Sequence, residues 1–109
     1  MKKTKAGPSF SEEVVRLALT IPKGRVTTYG RLARAAGGGT MASQSIASIL
    51  WKAEQRGVKG IPYHRIVYAD GRVWMNKEHR TKRMALYKRE GIRLDDEDMI
   101  VDFQKVLVG

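Results

Sequence analysis

Three consecutive glycines, Gly37-Gly38-Gly39, constrain this chain more than any other feature. Each glycine inside a helix costs about 1 kcal/mol relative to alanine, so three in a row end one helix and separate it from the next. The apolar spacing on either side therefore reads as short helices. Ser9 with Glu12 predicts a capping box. Phe10, Val14, Leu17, Ala18 and Ile21 then recur at helical spacing and give a first helix one apolar face. Pro22-Lys23-Gly24 stops it, and Arg25-Val26-Thr27 reads as a short extended piece. Thr27 or Thr28 caps a second helix, to about Ala36, with Leu32, Ala33 and Ala36 inward. A third helix runs from Met41 or Ser43 to Gln55. Two short helices joined by a glycine-containing turn predict a helix-turn-helix.

Pro62 ends a loop. Tyr63 to Val67 and Arg72 to Trp74 flank Ala69-Asp70-Gly71, which predicts a β-hairpin of the kind that forms the wing of a winged helix. A basic helix from about Glu78 to Glu90 follows, stopped by Gly91. After it the chain mixes acids with Met99, Ile100, Val101, Phe103, Val106 and Leu107, and both strand and helix remain open there. The expected organisation is a basic N-terminal extension (1–8), one small α+β winged-helix/helix-turn-helix domain with a β-hairpin wing (9–94), and an acidic/apolar tail (95–109).

At 109 residues and 42% hydrophobic, the chain suffices for one core. No stretch reaches the roughly 18–20 apolar residues of a membrane span, and residues 1–8 lack the apolar run of a signal peptide. The expected location is cytoplasmic, nucleoid-associated in a prokaryote. Net charge is +10. Five acids cluster at Asp95, Asp96, Glu97, Asp98 and Asp102, so residues 1–94 hold 20 basic residues against six acids, or +14. Such a balance marks a polyanion binder, nucleic acid before membrane, because no helix joins a basic face to large apolar anchors. Basic charge that only aids solubility is the rival explanation. The chain contains no cysteine, which excludes disulfides, thiolate metal sites and a cysteine nucleophile. His64 and His79 make no metal site with the available acids, so neither metal nor cofactor is expected, and a monomer is expected.

On the third helix, Ile46, Ile49, Leu50 and Ala53 form the core side, and Gln44, Ala47, Ser48, Trp51 and Gln55 the opposite one. A major-groove reader usually presents Arg, Lys or Asn to base edges. The small residues here instead permit close approach to a minor groove about 6 Å wide. Packing of Ala and Ser against a neighbouring helix explains them equally well.

Two segments together resemble a known family. The segment 21–33, Ile-Pro-Lys-Gly-Arg-Val-Thr-Thr-Tyr-Gly-Arg-Leu-Ala, resembles the signature entering the helix-turn-helix of O6-alkylguanine-DNA alkyltransferases. Ile61-Pro62-Tyr63-His64-Arg65-Ile66-Val67 resembles their Pro-Cys-His-Arg-Val motif, with Tyr63 in the cysteine position. The match spans about Phe10 to Leu94. Members in which that cysteine is replaced are the alkyltransferase-like proteins. The resemblance implies a protein that binds O6-alkylguanine in DNA without repairing it and presents it to nucleotide excision repair. A phenol with a pKa of about 10 is a poorer nucleophile toward an alkyl carbon than a thiolate.

By the same resemblance, Tyr29 helps rotate the target nucleotide, with a partly buried aromatic as the plain alternative. Tyr63 lines the pocket for the flipped base, or fills and blocks it. His64 and Glu90 match a hydrogen-bonded chain that, without a thiol, holds the Tyr63 loop, and Arg65 ties that strand to its neighbours. Gln44 takes the place of the family's intercalating arginine; it lacks charge and a stacking plane. Asn76 stands where the family has a tyrosine and reads better as a helix N-cap. Trp74 replaces a small residue and either roofs the pocket or occupies it. Arg31, Arg34, Lys52, Arg56, Arg72 and Lys77 are the candidate phosphate contacts, and Arg80, Lys82 and Arg83 read as a solvated helix face. The expected partners are double-stranded DNA containing alkylated guanine and nucleotide excision repair proteins. The rivals are a winged-helix DNA-binding or regulatory module without lesion specificity, and a residual enzyme using Tyr63 as acceptor.

Overall fold

The computed structural model describes residues 9–39 and 41–109; the basic extension at 1–8 lies outside the described residues. Helix α1 (Phe10–Leu19) opens with the expected capping box: Ser9 Oγ accepts from Glu12 N–H, and the Glu12 carboxylate accepts from Ser9 N–H. Strand β1 (Thr27–Thr28) leads directly into α2 (Tyr29–Ala35), and Thr28 Oγ1 caps that helix by accepting from Arg31 N–H at 3.1 Å. The glycine run follows. Gly37 donates to Arg34 O and Gly38 to Ala33 O, the paired closure of a Schellman motif, with Gly37 at φ +91°. A 3₁₀ turn (Ala42–Ser45) then feeds α3 (Ile46–Gln55), whose Ile46, Leu50 and Ala53 are fully buried.

Helices α1, α2 and α3 enclose one core around Val14, Ala18, Leu32, Ile46 and Leu50, with Ile66 closing it. A second core gathers Val26, Val67, Val73, Tyr87, Ile92 and Ile100. Between them lies the sheet. Strand β2 (Ile66–Val67) pairs in parallel with β1, Thr27 opposite Ile66 and Thr28 opposite Val67. Ile66 serves the first core and Val67 the second, as the two-residue alternation of a strand requires.

The small α+β helix-turn-helix fold is therefore as expected, but the hairpin differs in detail. Its tip is present: Gly71 donates to Tyr68 O, Tyr68 N–H to Arg72 O, and Asp70 Oδ1 accepts from Arg72 N–H. Its arms then part. The 63–65 arm is a 3₁₀ turn, Ile66–Val67 pairs with β1, and Arg72 forms an antiparallel bridge with Met99. The tail supplies the missing partner and is part of the fold. Leu94 bridges Ile100, helix α5 (Phe103–Val106) packs its Phe103 ring on Gly71, and Leu107 runs parallel to Val26. Helix α4 (Arg80–Arg89) ends at Gly91, with Gly91 donating to Lys88 O and Ile92 to Tyr87 O.

Candidate nucleic-acid interface

The N-terminal Tyr29 of α2, the 3₁₀ turn with the first turn of α3, the 63–74 segment and α4 converge on one cavity of about 610 Å³. It is lined by Tyr29, Ser43, Gln44, Ala47, Tyr63, Tyr68, Trp74 and Arg83. Four of these are aromatic. The Tyr29 and Tyr68 rings lie 5.6 Å apart and tilted, with the Arg72 guanidinium 4.7 Å above the Tyr68 ring. The Arg83 guanidinium lies 5.4 Å from the Trp74 ring centroid. Such walls offer flat apolar surface with cations at the ring faces, a favourable arrangement because the face of an aromatic ring is electronegative.

Tyr63 is half-buried, and its hydroxyl donates to Glu54 Oε1 at 3.3 Å. Burial, then the Glu54 charge and the hydrogen bond to it, push the Tyr63 phenol above its usual range. It is a neutral phenol at pH 7.

Behind Tyr63 stands a network centred on Glu90. The Glu90 carboxylate accepts from Arg65 Nη2 at 2.7 Å, from Gly24 N–H at 3.0 Å and meets His64 Nε2 at 2.8 Å. Arg65 also donates to Ile21 O, and the buried Tyr87 hydroxyl donates to His64 O. Burial acts to raise the Glu90 pKa, but Arg65, the Gly24 amide and His64 outweigh it and bring it down to about 2. His64 moves below its usual range because burial outweighs the pull of Glu90. The network ties the loop before β1, the Tyr63 turn and the end of α4 into one block.

Of the residues singled out in the sequence, Tyr29, Gln44, Ala47, Tyr63 and Trp74 line the cavity. Ser48 and Trp51 are exposed on the same side of α3 but outside the lining. His64 and Arg65 lie behind the cavity in the Glu90 network. Asn76 does not reach the cavity lining, nor is it the N-cap of α4, a position held by His79: its Oδ1 accepts from His79 N–H at 2.8 Å and closes the turn before α4. Arg34 lines a smaller recess with Gly38, Gly39 and Ser43. Lys52, Arg56, Arg72 and Lys77 are exposed and Arg31 half-buried, and none of these six bases forms an ion pair among the described residues.

Three lining residues were not among the candidates from the sequence: Ser43, in the 3₁₀ turn beside Gln44, Tyr68 and Arg83. Tyr68 enters because β2 pairs with β1 and carries it beside Tyr29. Arg83 does not lie on a solvated face; α4 turns it over Trp74, while Arg80 pairs with Asp98 through two bonds of 2.8 and 3.0 Å. Among the described residues no group of three or more His, Asp or Glu side chains could hold a metal, and no helix is long and apolar enough to cross a membrane.

The fold is shared with solved structures. Schizosaccharomyces pombe Atl1, in complex with damaged DNA containing O6-carboxymethylguanine, superposes with a TM-score of 0.69 at 20% identity, over 92% of this chain and 94% of that one. S. pombe ATL in complex with DNA gives a TM-score of 0.68 at 19% identity, over the same shares of both chains. Mycobacterium tuberculosis O6-methylguanine methyltransferase gives 0.56 at 24% identity, over 78% of this chain and half of that one. No curated protein matches the sequence. The family model for the DNA binding domain of 6-O-methylguanine DNA methyltransferase matches residues 9–92. With that match over most of its length, on a helix-turn-helix beside an aromatic cavity, the chain belongs to the family of this DNA-binding domain.

Proposed function

We propose that this chain is a non-enzymatic sensor of alkylated guanine that binds duplex DNA from the minor groove. It takes a flipped O6-alkylguanine into the aromatic cavity and leaves the lesion for nucleotide excision repair. It acts as a monomer on DNA in the cytoplasm. The observation that carries this reading is the meeting of four aromatic rings in one cavity beside Ala47, on a helix whose outer residues, Ala47 and Ser48, are small. Base stacking on an aromatic ring contributes about 1–3 kcal/mol, which offsets the few kcal/mol needed to unstack a damaged base. Small outer residues let α3 approach the narrow groove. Family membership and the fold shared with Atl1, solved in complex with damaged DNA, support lesion binding by this chain.

Chemistry is not expected at this site. Transfer of the alkyl group needs a nucleophile that keeps it, and the chain has no thiol. The position that resembles the family's cysteine is Tyr63, a phenol held neutral by burial and Glu54.

The test is equilibrium binding to matched duplexes with and without one O6-methylguanine, at two salt concentrations. A preference of about tenfold, roughly 1.4 kcal/mol, that survives higher salt is the expected result. Equal affinities that collapse together would favour a DNA-binding module without lesion specificity. That second reading draws on Trp74, whose indole stands in the cavity wall, and on Asn76, whose side chain is engaged in the turn before α4.

A further inference from the structure

Arg83 has no part in stacking on the base as proposed above. It reaches the cavity from α4, apart from the helix-turn-helix, and is half-buried with its guanidinium over Trp74. The other lining side chains are aromatic, small or neutral, so Arg83 is the one charged group in the lining. Among the described residues it forms no ion pair. Glu54, the acid that reaches Tyr63, accepts the Tyr63 hydroxyl, and Asp98 is held by Arg80. Arg83 also acts electrostatically on its surroundings: burial raises the Tyr29 and Tyr87 hydroxyls, and the Arg83 charge opposes that rise at both. An aromatic cavity with one guanidinium that no carboxylate among the described residues neutralises is suited to an anionic guest. A planar guanidinium pairs with a carboxylate through two parallel hydrogen bonds, and apolar walls screen that pairing less than bulk water does.

On the lesion-binding reading, we infer that Arg83 makes this cavity select O6-alkyl groups ending in a carboxylate over neutral groups of the same size. A methyl group fills apolar space and leaves the guanidinium unused. A carboxymethyl group extends the base by a short arm and places a negative charge among walls that hold no competing acid. Any agent that leaves a carboxyalkyl ether on guanine O6 supplies the guest.

The experiment uses the full chain and four duplexes that differ at one guanine: unmodified, O6-methyl, O6-carbamoylmethyl and O6-carboxymethyl. The carbamoylmethyl group matches the carboxymethyl group in size without its charge. The carboxymethyl duplex should bind about tenfold tighter than the carbamoylmethyl one, the factor that roughly 1.4 kcal/mol gives. Arg83→Gln should bring that ratio to about one, and Arg83→Lys should keep part of it, because charge persists while the planar fork is lost. Equal binding of the two by the native chain overturns the inference. So does a ratio that Arg83→Gln leaves intact, or a uniform weakening of all four duplexes, which would make Arg83 a phosphate contact. The outcomes separate from the broader reading. Preference for O6-methylguanine without discrimination of the carboxylate defeats only this inference, whereas no preference for any alkylated duplex defeats lesion binding as well.

Discussion

On the proposed reading Tyr63 takes the place of the alkyl-accepting cysteine, and the surroundings of its hydroxyl oppose that use. A phenol attacks carbon as the phenolate, and burial together with the Glu54 carboxylate disfavours that anion. Incubating the protein with a duplex carrying O6-methylguanine and measuring its intact mass should therefore show no added methyl at pH 7 or pH 8.5. A single methyl adduct mapping to Tyr63 would make the chain an enzyme after all. The residues of the cavity were unequally legible. Tyr29 and Tyr63 could be placed because the two motifs carry them, and Gln44, Ala47 and Trp74 by their positions on the third helix and after the hairpin tip. Tyr68 and Arg83 could not, since each reaches the cavity only through a pairing remote in sequence: β2 on β1 for Tyr68, and α4 against the Tyr63 turn for Arg83. The N-cap expected at Asn76 falls instead to His79, because α4 begins at Arg80 and the Asn76 side chain closes only the turn that precedes it.

At the scale of elements, α1 and α2 announce themselves through caps and periodic apolar residues, α3 through its apolar face and α4 through the glycine that ends it, all signals that act within a few residues. The sheet does not. Each strand is two residues long, and a crossover through α2 and α3 separates them. No alternation pattern is readable in so short a strand, and an Asp-Gly tip predicts a hairpin whether or not its arms stay together. The glycine run shows how local chemistry becomes packing. A Cβ on Gly38 would lie 2.5 Å from Ala42 Cβ and 2.7 Å from Phe10 Cε1, where the turn after α2 crosses α1. Gly39 has open space around its Cα and no positive φ. Gly38→Ala should therefore cost about 1–3 kcal/mol through overpacking, while Gly39→Ala stays within about 0.5 kcal/mol. Urea denaturation of the two variants checks this, and equal losses would show that the close approach at Gly38 relaxes freely.

For the molecule as a whole, Glu90 joins what the two cores would otherwise leave to a two-strand sheet. It is the C-cap of α4, where the helix dipole disfavours an anion, yet its side chain is only 5% exposed and fully engaged by Arg65, Gly24 and His64. Its pKa of about 2 against the ordinary 4.5 means that the unfolded chain binds a proton more readily than the folded one between those values. Stability from Glu90 is thus complete above about pH 4.5 and is lost as pH falls toward 2, amounting to about 3 kcal/mol. His64, lowered by burial, adds a loss that begins earlier, as pH drops below the unfolded value of about 6.5. Glu90→Gln should cost about 3 kcal/mol at pH 7, because Arg65 is left half-buried without its carboxylate. It should also flatten the stability profile between pH 4.5 and 2 relative to the native chain. Denaturant midpoints at pH 7, 5.5, 4 and 3 for both proteins separate the two contributions. Parallel profiles would mean that Glu90 is not titrating in the fold, and that the block behind Tyr63 is held by packing around Tyr87 and Val67 alone.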